Sequence, residues 1–278
     1  MPVSVIIPAC RAHATVVRAV ESVLTQTFED WEAIVVSDDG EDYIALLAQH
    51  GIRDPRLRGV TTGRTASGCH NARNVGLAAT RGDFIAALDA DDLFLPRRLE
   101  MLLPIARRDG AATDNPAVVD DTSGDALYRA CADVTPVHRL DVAALLALSV
   151  PLFPIVARGY AEPRLDGIEF GEDFVANLRL IDRIGGLTMI GDTLSEYRVV
   201  TGSLCHSDES AARFEKSYTE LIIRLSDGDR LGLSAETATT AREGLVRKRE
   251  FNRAFAKARA QDPGLDFQSF AARTAARI

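Results

Sequence analysis

The 278-residue sequence predicts an α/β fold, a mostly parallel sheet flanked by helices, followed by a helical C-terminal extension. Three observations carry this reading. Short β-branched runs alternate with helical stretches over the N-terminal part, which is the pattern of βαβ units. The runs are continuously apolar rather than alternating, as strands covered on both faces must be. Beyond Ser207 the chain reads as helix, with "SAETATTAREGLVRKREFNRAFAKARA" the longest candidate.

Taken in order, "VSVIIP" (Val3 to Pro8) is a buried parallel strand closed by proline. "ATVVRAVESVLTQ" sets Val16, Val17, Val20, Val23 and Leu24 at three-to-four spacing, one apolar face of a helix. "WEAIVVS" is a second strand ended by "DDGED", "YIALLAQH" a helix stopped near Gly51, and "LRGVTT" a weaker third strand. "NARNVGLAAT" is a helix, "DFIAALD" a fourth strand, and "PRRLEMLLPIARR" a helix with proline at its first turn. Beyond it the pattern loosens. "AATDN", "PAVVDD" and "DALYRA" are short strands, "DVAALLAL" a helix running into loop, "EDFVANLRLIDRIG" a helix ended by Gly185 and Gly186, and "LTMIGD" a strand.

Composition narrows the function classes. A chain that is 46% hydrophobic and 26% charged has the apolar content to bury a core, which excludes wholesale disorder. Its net charge of -8 argues against a general nucleic-acid binder, which needs a basic surface. The four cysteines, Cys10, Cys69, Cys131 and Cys205, have no CxxC spacing and read as free thiols of a cytoplasmic protein. The N-terminus lacks the charged and apolar regions of a signal peptide. The longest apolar stretch, Val142 to Ala157, contains two prolines and falls short of the roughly 20 residues that span a bilayer.

In a parallel sheet of this kind ligands bind beyond the carboxyl ends of the strands. That rule brings Pro8 to Arg11, Asp38 to Asp42 and Asp89 to Asp92 to one edge. Asp89-Ala90-Asp91 is a D-x-D in which residues two apart point roughly the same way, so both carboxylates can share one divalent ion. Oxygen donors favour Mg2+ or Mn2+. The same acids also suit a turn that caps the following helix. Asp38 and Asp39 suit a helix-entry loop, and Glu172 and Asp173 suit the positive end of a helix.

"VSVIIPAC", "AVESVLTQT", "WEAIVVSDDGED", "NARNVGLAATRGDFIAALDADDLFLPRRLE" and "GEDFVANLRL" occur in the order and spacing of family 2 glycosyltransferases. The chain resembles those enzymes over roughly residues 3 to 205. The resemblance implies a GT-A fold with a Rossmann-like sheet, a metal-assisted inverting transfer, a UDP-linked nucleotide-diphosphate sugar donor, and a glycan or lipid-linked acceptor. It divides the chain into a catalytic domain, 1–207, with a nucleotide-binding half (1–109) and an acceptor-binding half (110–207), and the extension 208–278.

Residue by residue, the resemblance places Pro8, Ala9 and Cys10 along the nucleoside and Asp38, with Asp39, at the base. It sets Arg73 near the nucleotide, Asp89 and Ala90 at the ribose or metal, and Asp91 on the metal. Asp92 is read as a helix cap, and Asn74 and Gly76 as structural. Asp173 is the catalytic base with Glu172 beside it, and Arg198 faces the diphosphate or braces its loop. His206 stands as a metal ligand in place of the histidine that relatives carry at the position of Val200, or as an exposed loop residue. Cys10 and Arg11 replace a frequent aromatic and Asn.

A non-catalytic nucleotide-sugar-binding or scaffolding protein on the same fold is the alternative. A nucleotidyltransferase would need a Gly-rich loop, which "PACRAHAT" is not. From Arg242 onward nine Lys or Arg face four Asp or Glu. That basic end suits a solvated helix, peripheral contact with the inner face of an anionic membrane, or a homodimer through the C-terminal helices.

Overall fold

The structure is a computed structural model that describes residues 2–132, 136–148, 150–168, 171–200, 210–228, 230–262, 264–265, 267 and 270. The chain divides into two compact units, Met1–Val200 and Thr201–Ile278.

The first unit opens with β1 (Val3–Ala9), α1 (Val16–Leu24), β2 (Trp31–Ser37), α2 (Tyr43–Gln49), β3 (Leu57–Thr61), α3 (Cys69–Ala79) and β4 (Phe84–Ala87). It continues through β5 (Leu93–Phe94), α4 (Arg98–Asp109), β6 (Ala111–Thr113), β7 (Ala117–Asp120), β8 (Ala126–Arg129), β9 (Val137–Leu140), α5 (Val142–Ala147) and β10 (Ile155–Ala157). It closes with α6 (Glu172–Ile184), β11 (Leu187–Ile190) and β12 (Ser195–Val199).

Eight strands form the main sheet in the order β3-β2-β1-β4-β10-β6-β11-β9. Its N-terminal half is all parallel: β1 lies between β2 and β4, and β3 flanks β2. Every residue of β1 is buried. Val3, Val5 and Ile7 face the cluster that includes α1 and α4, while Ile6 faces the cluster that includes Ala72 of α3. The continuous apolar run is thus a strand with helices on both faces. The C-terminal half is mixed, because β10 runs antiparallel to both β4 and β6, and β9 runs antiparallel to β11. A second sheet has the order β5-β12-β7-β8.

Four details depart from the sequence expectations. Pro96 precedes α4 rather than entering its first turn, and it is Pro104 that sits inside the helix. The "PLFPIVA" stretch ends in β10 rather than in loop. The pieces "LF", "VHRL" and "SEYRV" are strands that sequence periodicity did not mark. Asp92 does not cap α4: the N–H of Leu99 at the helix start goes to Oε1 of Gln26, 3.0 Å away.

The second unit contains α7 (Ser210–Ser226) and α8 (Ala235–Gln261). Ser234 caps α8 by accepting from Thr237 N–H, and Asn252 and Arg253 of α8 hydrogen-bond Ala211 and Glu215 of α7. No helix among the described residues is long and apolar enough to cross a membrane.

Gly76 lets α3 lie close against the sheet. A Cβ there would sit 3.0 Å from Cγ2 of Val36 and closer still to Cγ2 of Ile6. Gly76→Ala should therefore cost about 1–3 kcal/mol by overpacking, read as a lower urea midpoint; an unchanged midpoint would mean that the helix can lift off without cost.

Candidate active site

The carboxyl ends of β1, β2 and β4 do lie on one edge. Asp38 N–H donates to Ala9 C=O at 2.9 Å, and Leu88 N–H donates to Ile6 C=O at 3.0 Å. Two groups of predicted residues gather on this edge.

The first gathers Pro8, Ala9, Cys10, Asp38 and Asp39. Asp38 is buried, and its carboxylate accepts from Thr62 Oγ1 (2.8 Å), Ser67 Oγ (2.5 Å) and Gly68 N–H (3.0 Å). It thereby fixes the loop that leads into α3. Asp39 accepts from the N–H groups of Arg11 and Glu41 and from the hydroxyls of Tyr43 and Ser37. Burial opposes its ionisation, but these donors outweigh it and hold the carboxyl below its usual range. Arg11 takes a positive φ of 54°, so the strand-end turn is strained and is held by the Asp39 contact. Cys10 is exposed beside the two acids; its partial burial, then Asp39 and Asp38, push the thiol pKa up.

The second group joins residues far apart in sequence. Asp89, Asp91 and Asp92 bring carboxylate oxygens within 4.8 Å of one another. Burial raises Asp89 despite the pull of Arg73, and burial with the charge of Asp89 pushes Asp91 up to about 6. Burial, then Asp89 and Asp91, raises Asp92 well above its ordinary value. Ala90 is buried between the first two acids. Asp92 Oδ1 accepts from the N–H of Arg198 at 2.8 Å, tying the D-x-D turn to β12. Crowded carboxylates that resist ionisation, presenting only hard oxygen donors, fit a divalent cation.

Arg73, on the first turns of α3, is 5% exposed and faces Asp89, Glu172 and Asp173 together. It hydrogen-bonds Asp89 and pairs closely with Glu172, while its Nη1 is 3.0 Å from Asp173. Burial opposes its charge, but Asp173 and Asp89 outweigh that cost and raise its pKa. Glu172 is also paired with Arg164, Nε to Oε2 2.8 Å. Glu172 is 7% exposed under two guanidinium groups, whereas Asp173 keeps 21% of its side chain exposed. Both acids enter on α6 after Gly171, whose φ of 81° is left-handed.

Arg198 does not extend freely into the cleft. Its guanidinium meets Asp121 (2.7 Å) and Glu196 (2.6 Å), and Arg18 meets Asp121 at 2.6 Å. Of the two roles the sequence left open, the geometry is that of a brace. His206 lies outside the described residues. Sequence reasoning missed Arg18, Asp121 and Arg164, and passed over Asn74 as structural; none stands in a short motif that marks its contacts.

Residues 4–141 match Glycosyl transferase family 2. Residues 4–141 thus form a domain of that family. It is 37% identical over 99 residues to the UDP-Glc:alpha-D-GlcNAc-diphosphoundecaprenol beta-1,3-glucosyltransferase WfgD of Escherichia coli, a match covering 36% of this chain and 38% of that one. It is 32% identical over 189 residues to the succinoglycan biosynthesis protein ExoO of Rhizobium meliloti, covering 62% of this chain and 53% of the other. The chain thus matches between 38% and 53% of the length of these two relatives. Among solved structures, S. aureus TarS 1-349 in complex with UDP-GlcNAc superposes with a TM-score of 0.71 at 16% identity, covering 96% of this chain and 77% of that one. The same TarS fragment in a second structure gives a TM-score of 0.69 at 13% identity, covering 96% and 76%. These likenesses show the GT-A fold.

The raised carboxyls at the D-x-D have a measurable consequence. A folded pKa above the unfolded one means that ionisation costs stability, a cost absent at low pH and complete once pH exceeds the folded value of about 6 for Asp91. Mn2+ should therefore raise Tm more at about pH 7.5 than at about pH 5, and metal-free Asp91→Asn should melt above the parent only at the higher pH. Equal metal shifts at both pH values would contradict this.

Proposed function

We propose that the protein transfers a sugar from a nucleotide-diphosphate donor, UDP-linked, to a hydroxyl of a glycan or glycolipid acceptor with inversion at the anomeric carbon. The observation that carries this reading is the convergence of Asp89 of the D-x-D with Asp173 on one buried arginine. Family membership, the glycan-synthesis names of WfgD and ExoO, and the UDP-GlcNAc bound by the TarS neighbour support the donor and acceptor classes.

Asp89, Asp91 and Asp92 would hold Mn2+ or Mg2+. A divalent ion there supplies charge neutralisation for the departing nucleotide diphosphate. Asp173 accepts the proton of the acceptor hydroxyl as its oxygen bonds to the anomeric carbon and the carbon–oxygen bond to the diphosphate breaks. Arg73 anchors Asp173 from the side away from the acceptor, and Glu172 fixes Arg73 in turn. Asp38 and Asp39, with their oxygens occupied by their own loops, shape the wall at the base end, where Pro8, Ala9 and Cys10 line the nucleoside. Arg198 braces the D-x-D turn through its backbone N–H.

The test is a pair of substitutions assayed for transfer and for donor binding. Asp173→Asn should lower kcat by about 10²–10⁴-fold while donor affinity in Mn2+ stays within about twofold. Asp91→Asn should weaken metal-dependent donor binding as well. If the parent protein binds the donor with neither transfer nor hydrolysis, a non-catalytic binding protein is the correct reading; if Asp173→Asn keeps full turnover, the base is misassigned.

A further inference from the structure

Residues 161–165 run without helix or strand, yet side chains of α3 and α6 hold the Pro163 carbonyl and both backbone groups of Arg164. Asn74, the neighbour of Arg73 on α3, grips both backbone groups of Arg164. Its Nδ2 donates to the Arg164 carbonyl at 2.9 Å, and its Oδ1 accepts from the Arg164 N–H at 2.6 Å. From the other side, Arg179 of α6 donates to the Pro163 carbonyl at 3.1 Å and pairs with Glu162. The guanidinium so placed reaches Glu172, Nε to Oε2 2.8 Å.

We propose that Arg164 is a positioning residue for the transfer step, clasped by Asn74, and that its task is to share Glu172 so that Arg73 keeps hold of Asp173. This rests on the reading of Asp173 as base. The charge balance gives the reason. Asp89, Glu172 and Asp173 face Arg73 and Arg164, three negative groups against two positive. Without Arg164, Arg73 alone must serve all three, and the least exposed of them, Glu172, draws it away from Asp173.

The Arg164 guanidinium is held beside Glu172 at an electrostatic cost. Burial, followed by the like charges of Arg73 and Arg179, draws the pKa of Arg164 down to about 10 even with Asp173 and Asp89 nearby. The Asn74 grip also explains how residues 90 positions apart keep register: α3 delivers Arg73 to the acids directly and Arg164 through the clasp, from adjacent residues.

The experiment uses the full chain with Mn2+ and the donor on which the parent turns over. Arg164→Met should lower kcat by about tenfold or more, with donor Kd and KM within about twofold, and Arg164→Lys should recover most of the loss. Asn74→Ala should act in the same direction, and the double variant should be no slower than the slower single one, because the pair acts as a unit. A kcat within about twofold of the parent overturns the proposal, as does a loss that disappears when the assay is run well below the variant's Tm. A crystal structure of Arg164→Met reads the placement without turnover: Asp173 separated from Arg73 supports the inference, and an unmoved pair refutes it. Absence of parent turnover with every donor would instead strike the transfer reading, leaving the crystal structure to decide on the positioning.

Discussion

A buried guanidinium facing three carboxylates is the constraint around which the catalytic unit is arranged. Arg73 is almost fully enclosed, so its charge must be met by partners within the protein, and those partners come from two separate parts of the chain. Asp89 follows the end of β4, and Glu172 and Asp173 open α6. Neither side can move far without leaving a buried charge uncompensated, which is among the costliest events in a protein interior. The same pairing that stabilises the unit therefore sets Asp173, the proposed base, at a defined place relative to the D-x-D acids.

Much of the surrounding structure serves to deliver α3, and with it Arg73, to that place. Asp38 ties the Gly68 N–H at the start of the helix, so the acid at the end of β2 sets where α3 begins. One turn on, Arg73 faces the acids, Asn74 grips Arg164, and Gly76 lets the helix settle against Ile6 and Val36. An anchor, a charge, a clasp and a point of close contact follow one another within a single short helix. On the far side of the acid cluster, Arg198 of β12 donates its N–H to Asp92 while its side chain is held by Asp121 and Glu196. The second sheet thus braces the D-x-D turn.

The parallel half of this fold was legible in the sequence because its strands are long enough, and covered well enough on both faces, to be apolar without interruption. The seven residues of β1 show this most clearly. The rest was less legible: β5 has two residues and β10 three, too few for a periodicity to develop. The site divides in the same way. Asp89, Asp91 and Asp173 could be singled out from spacing and resemblance, since they stand at the ends of regular elements. Asp92 was misread as a cap because its partner, the N–H of Arg198, is supplied by a strand more than a hundred positions away, and no local pattern announces it. Arg164 was missed for the same reason, its contacts being made by an irregular stretch whose course only the fold determines.

The central claim is that Arg73 compensates buried carboxylates on both sides of the cleft, and the unfolding of the full chain in urea tests it most directly. Arg73→Met should lose about 3–5 kcal/mol, because it strands Glu172 and its neighbours, and adding Glu172→Gln to that variant should restore more than half of the loss. A loss below about 1 kcal/mol for Arg73→Met, or a double variant whose loss is the sum of the two single ones, would contradict the account.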